Sequence, residues 1–171
     1  LEIGFQRELK KMTATMEFQI GIKVENRQSV AENLSKLLAD EFVLYTKTRR
    51  AHWNIEGADF YAQHKFFEAQ YEQLDEIIDN VAERIRMIGH YAPSTLANFL
   101  QLTHLTEQSR ESNDSHGFIH ELLSDHESII MECRKNITIT AEQYHDLGTS
   151  DFLTTLLETH EKMAWMLRAH L

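Results

Sequence analysis

Chain breakers are scarce: one proline and six glycines among 171 residues leave little to interrupt helix, so long helices are expected. Cysteine is scarcer than glycine. The lone Cys133 excludes an internal disulfide framework and fits a reducing, cytoplasmic setting. It sits among Ile129, Ile130 and Ile137, where a buried and inert thiol is expected. No apolar run approaches the roughly 20 residues that a membrane span needs, and the chain opens on no secretory signal. Basic charge is also short, 17 Lys and Arg against 27 Asp and Glu, for a net −10 with histidines neutral. Such a surface repels phosphate backbones, because sequence-independent nucleic-acid binding rests on Lys and Arg neutralising phosphates. Cations are drawn to it instead. With 42% apolar and 26% charged residues, disorder is excluded and the length suits one domain with a proper core.

What is present reads as four helices and an arm. Residues 1–28 lack a clear period and form an N-terminal arm; since the chain opens on Leu1, some leading residues are expected not to be native, with Met12 a candidate start. The bundle domain spans 29–171. Its first helix opens at Ser29 with Glu32 three residues on, a capping-box pattern, and runs through Val30, Leu34, Leu37, Leu38, Phe42 and Tyr45 onto His52. Asn54 and Gly57 supply a turn. The second helix starts near Asp59 and keeps a 4-3 rhythm through Phe60, His64, Phe67, Tyr71, Leu74, Ile78, Val81, Ile85 and Ile88, with Gly89 placed to cap it and Pro93 beyond. Residues 90–114 form a long connection in which Leu96, Phe99 and Leu100 suggest a short helix, and a link of that length makes the second and third long helices parallel. The third runs from Ser115 to Leu147 and ends at Gly148, with Ile119, Leu122, His126, Ile129 and Cys133 on one face; the fourth runs from Ser150 to His170 through Phe152, Leu156, His160 and Met163. The expected fold is all-α, a four-helix bundle with a long crossover between helices 2 and 3.

The chemistry lies between residues 45 and 89. His64 and Glu68 are four apart on the second helix, as are Asp79 and Glu83, so each pair projects from one face. His52 converges on His64 from the end of the first helix. Nitrogen and carboxylate ligands without a thiolate suit a first-row metal such as iron or zinc. His64 and Asp79 are fifteen residues apart, about 22 Å along the helix axis, so they cannot share an ion within one subunit. Two copies with antiparallel second helices would set His64 of one against Asp79 and Glu83 of the other, giving two identical sites per two-fold dimer. A di-iron bundle with its site inside one chain uses two Glu-x-x-His motifs; only Glu142 to His145 fits that pattern here.

The run His52-Trp53-Asn54-Ile55-x-Gly57, then Phe60, His64, Asp79-x-x-Ala82-Glu83-Arg84 and Gly89, continued in His160-Glu161-Lys162 and Trp165-Met166-Leu167-Arg168-Ala169, resembles the Dps family, the mini-ferritins named as DNA-binding proteins from starved cells. The resemblance covers the chain from Ser29 to its end. It implies the ferritin-like version of the four-helix bundle and a dodecameric shell in the cytoplasm or beside the nucleoid. It also implies a ferroxidase that oxidises Fe(II), usually with hydrogen peroxide and otherwise with oxygen, and stores the ferric product inside. By position, His52 and His64 would be ligands from one subunit and Asp79 and Glu83 from its neighbour. Glu68 matches a variable acidic position that helps hold a second, weaker iron or a bridging water, and Trp53 matches the aromatic residue beside the centre, with core packing as its other role. Asp146 and Asp151 are candidates both for lining an ion-admitting pore and for an ordinary place at a helix end. DNA binding is expected to be weak or absent: Arg7, Lys10, Lys11, Lys23 and Arg27 face Glu2, Glu8, Glu17 and Glu25 in the arm, a balance of +1. The competing functions are a DNA-compacting protein, which needs a basic arm, an intrachain di-iron oxidase, and a structural zinc site between subunits, with zinc as the ion that such ligands also accept.

Overall fold

In the computed structural model the described residues are 18–107 and 113–171. They form helices α1 (Val24–Asn54), α2 (Phe60–Met87), α3 (Leu96–Leu102), α4 (Ser115–Glu142) and α5 (Leu147–Arg168), with no strand among them. The two tightest pairings are α1 with α2 and α4 with α5. Short links make both pairs antiparallel, and ion pairs from Lys47 to Asp125 and from Arg50 to Glu121 set α1 against α4 in opposite senses as well. Helices α2 and α4 are therefore parallel, as the long crossover requires. The seam residues meet in one core, including Leu34, Leu38, Leu44, Phe67, Leu74, Ile85, Phe118, Ile119, Leu122 and Ile129. Cys133 lies in it as a free, buried thiol whose pKa burial pushes up.

Side-chain chemistry straps the crossover to α1. Phe99 of α3 stacks on Phe42 at 4.4 Å between ring centroids. Buried Asp40 accepts hydrogen bonds from the Thr103 hydroxyl at 2.7 Å and the His104 main-chain N–H at 2.6 Å. Lys47 donates to the Thr106 carbonyl at 3.1 Å. The bonds to the His104 N–H and the Thr106 carbonyl satisfy main-chain groups that the loss of helix there would leave unpaired.

The termini of the helices depart from the sequence expectation in three places. Helix α1 begins at Val24, five residues before Ser29, so the expected arm ends earlier and its residues 1–17 lie outside the described ones. Ser29 is no cap: its hydroxyl donates back to the Glu25 carbonyl at 3.1 Å, a mid-helix habit of serine. At the other boundary α4 stops at Glu142, not Leu147, and α5 starts at Leu147, not Ser150. Gly148 thus stands in the first turn of α5. A Cβ there would lie 3.0 Å from the Arg84 guanidinium, which reaches over the turn to the Thr149 hydroxyl and to Asp146. Gly89, by contrast, caps α2 as expected: at φ +93° its N–H donates to Arg86 and that of His90 donates to Ile85, the two bonds of a Schellman ending.

Asp146 resolves toward the helix-end role. It is buried, and its Oδ1 accepts from the Thr149 N–H at 2.9 Å while Oδ2 accepts from the Thr149 hydroxyl at 2.5 Å. Replacing Asp146 by Ala removes a cap and the carboxylate partner of Arg84, and should lower stability by about 1–3 kcal/mol. Thermal denaturation should show a clear drop for Asp146→Ala and almost none for exposed Asp151→Ala; equal drops would refute the capping role.

Candidate metal centre

The α1–α2 turn is built to bring two imidazoles face to face. Ile55 is buried under it, Gly57 takes φ +126°, and the Phe60 N–H closes the turn on the Gly57 carbonyl at 3.2 Å. His52, in the last turn of α1, and His64, in the second turn of α2, then stack with ring centroids 3.7 Å apart and planes 20° from parallel. Each Nδ1 donates to the other residue's main-chain carbonyl at 2.8 Å. A carbonyl can only accept, so both Nδ1 atoms carry a proton, and in the neutral form of each ring the lone pair lies on Nε2. That is how protein-bound histidine ligands are commonly oriented.

Four aromatic rings and an arginine frame the pair. Phe60 stacks on His64 at 5.2 Å and Tyr71 meets His52 edge to face at 5.1 Å. The Arg49 guanidinium lies over Tyr71 at 4.3 Å, Trp53 at 5.1 Å and Tyr45 at 5.7 Å. Trp53 is 64% exposed, so its role within one chain is not core packing. The Arg49–Tyr71 contact was not read from the sequence, although both tyrosines stood in the helix seams and Arg49 follows Tyr45 by one turn.

Glu68 lies one turn beyond His64, with its carboxylate 2.5 Å from the Lys65 ammonium. The hydrogen bond from Lys65 holds Glu68 below the usual carboxylate range, and the two imidazoles add to this. Asp79 and Glu83 are exposed farther along α2, about 22 Å and about 28 Å from His64 at the helical rise of about 1.5 Å per residue. The fold therefore brings His52 and His64 together, sets Glu68 beside them, and leaves the two remaining acids at the far end of the same rod. Among the described residues of one chain, no three His, Cys, Asp or Glu side chains gather around a point that could hold an ion. No helix among them is long and apolar enough to cross a membrane.

Comparison with known proteins places this architecture. A ferritin-like domain matches residues 31–171. A low temperature-induced protein of Nostoc is 40% identical over 150 residues, covering 88% of this chain and 84% of that protein. A DNA protection during starvation protein of Helicobacter pylori is 36% identical over 140 residues, covering 82% and 96% respectively. The crystal structure of a Dps protein from Vibrio cholerae, described as one of the ferritin-like diiron-carboxylate proteins, superposes with a TM-score of 0.84 at 30% identity, over 91% of this chain and 97% of that one.

Lys65 competes for the Glu68 carboxylate. Lys65→Ala should tighten binding of a divalent probe such as Zn2+ at the histidine end by about two- to fivefold, the scale of an exposed ion pair. Calorimetric titration of the assembled protein checks this, and unchanged affinity would mean that Glu68 takes no part in holding the ion.

Proposed function

Since the chain belongs to the Dps family of ferritin-like proteins, we propose that it is an iron-storing ferroxidase whose catalytic centres form between subunits. The observation that carries the proposal is the division of the ligand set: two imidazoles with free Nε2 atoms at one end of α2, two exposed carboxylates at the other. An antiparallel two-fold contact along α2 offers His52 and His64 of one subunit to Asp79 and Glu83 of the next, twice per dimer. Exposed apolar side chains at both ends of that helix, Phe60, Tyr61 and Met87, and on α3, Leu96 and Leu100, support such a contact.

Fe(II) is the substrate, and a few mixed nitrogen and oxygen ligands accommodate both of its oxidation states. With hydrogen peroxide, two Fe(II) each give one electron, the O–O bond breaks, and two protons complete two waters. Glu68 is positioned to help hold the second iron once Lys65 releases it. Arg49 over Tyr71 and Trp53 keeps the outer face of the imidazole pair in place. The ferric product passes to an interior surface rich in carboxylate, with Glu72, Asp75 and Glu76 also exposed on α2. Twelve subunits closing a shell would hold it as mineral. Protection of DNA follows from removing iron and peroxide together, without tight contact between an acidic shell and the nucleic acid.

Mixed shells test the division. His52→Ala and Asp79→Ala subunits should each assemble and each lose rapid oxidation of Fe(II) by peroxide. Reassembled together at equal amounts, they should recover about one quarter of the sites, because only mixed dimers regain a site and each regains one of two. No recovery, in shells shown by mass spectrometry to be mixed, would mean that the ligands do not cross the interface. Variants that fall apart into monomers would favour a structural zinc site instead.

A further inference from the structure

A second constellation lies inside the bundle, away from the α1–α2 turn. Glu41 of α1, His126 of α4 and His160 of α5 are each fully buried, at 0% exposure. The Nδ1 atoms of His126 and His160 are 2.9 Å apart in hydrogen-bonding geometry. His160 Nε2 lies 2.9 Å from Glu41 Oε1. That contact is short, yet it is not a hydrogen bond: His160 Nε2 and both Glu41 oxygens have no hydrogen-bond partner. The ring direction passes beside the oxygen instead of through it.

A buried carboxylate needs a cation in contact. The two buried Lys and Arg side chains are engaged elsewhere, Lys47 with Glu121 and Asp125, Arg27 with the Ile88 carbonyl. Two ligand atoms about 2.1 Å from one ion and about 90° apart, as in octahedral or square geometry, stand about 3 Å from each other, off any shared hydrogen-bond axis. The Glu41–His160 contact has that spacing and that misalignment. His160 Nδ1 can donate to His126 Nδ1, the outer support that metal-bound imidazoles receive. Gln70 of α2 adds a buried, unpartnered Oε1 to the same stretch of α5, its amide nitrogen being 3.5 Å from the Met163 carbonyl.

We propose that Glu41 and His160 form an intrachain binding site for a divalent first-row transition ion, with His126 as a positioning residue behind His160. The ion is bound by two side chains that supply up to three donor atoms, consistent with the lack of any three-residue His/Cys/Asp/Glu cluster among the described residues. The mixed imidazole and carboxylate set suits zinc, iron or manganese in their divalent states. Glu41 is eleven residues from His52 on α1, about 16 Å along the axis, so this site is separate from the interfacial one and does not depend on it.

Zinc is the probe. The assembled protein is stripped with chelator, loaded with ZnCl2, passed through metal-free buffer and crystallised, and diffraction is measured on both sides of the zinc edge. An anomalous peak between Glu41 and His160 in each subunit is expected, present equally in His52→Ala and absent in Glu41→Gln shells of unchanged size. Zinc at other places with none at Glu41 and His160 in the unmodified protein overturns the proposal, whether or not Glu41→Gln folds. A peak that appears only when zinc is kept in the crystal solution, and is lost after exchange, overturns it too.

Discussion

An α-helix does not shorten, and α2 is a rod of 28 residues, about 42 Å at the helical rise. Four of the five side chains proposed to hold iron, His64, Glu68, Asp79 and Glu83, are strung along that rod. Its N-terminal end is locked by the two reciprocal bonds between imidazole Nδ1 atoms and carbonyls, which fix α1 to α2 and set the orientation of both rings at once. Its C-terminal end is locked by the Gly89 ending and by Arg84, which reaches off the helix to the turn between α4 and α5. Held at both ends, the rod cannot bend to bring Asp79 back to His64. Chemistry that needs both ends has to find the second one in another molecule.

Periodicity made the helices legible because it reports burial directly: the 4-3 rhythm of α2 maps onto the core from Phe67 to Ile88. The division of the ligand set was legible for the same reason, since rise per residue turns spacing into distance. Helix ends were less so. Ser29 resembles a cap because serine bonds to main-chain groups in either role, and only the preceding turn, from Val24, tells which. Gly148 resembles a stop because glycine commonly is one; here it makes room for a guanidinium from α2, a contact 64 residues away in the chain. Such a requirement leaves no local trace.

The contacts between helices followed the same limit. Arg49, Tyr45 and Tyr71 are unremarkable in their own helices and acquire meaning only where α1 crosses α2. His126 and His160 fell on the apolar seams of α4 and α5 and so read as core positions, which they are. What the one-dimensional pattern could not display was that the two rings meet each other and that His160 meets Glu41, a residue whose neighbours Asp40 and Phe42 serve the crossover strap.

The core thus holds two polar layers with opposite states of balance. Near the α1–α4 contact, Lys47 meets Glu121 and Asp125, and Arg50 closes on Glu121; burial opposes ionisation of Glu121, yet Lys47 and Arg50 outweigh it and hold the group below the usual range. Burial wins at Asp125, which is raised. Two bases serve two acids, so the layer carries its own compensating charge. The Glu41 layer offers one acid, two imidazoles and no permanent cation. A protein interior tolerates unpaired polar groups only at several kcal/mol of cost, and replacing Glu41 by an apolar side chain would remove that cost without disturbing the seam. That such a carboxylate stands in a core otherwise filled with Leu, Ile and Phe is reason to look for the positive charge it answers to, and the geometry between Glu41 and His160 says where that charge would sit.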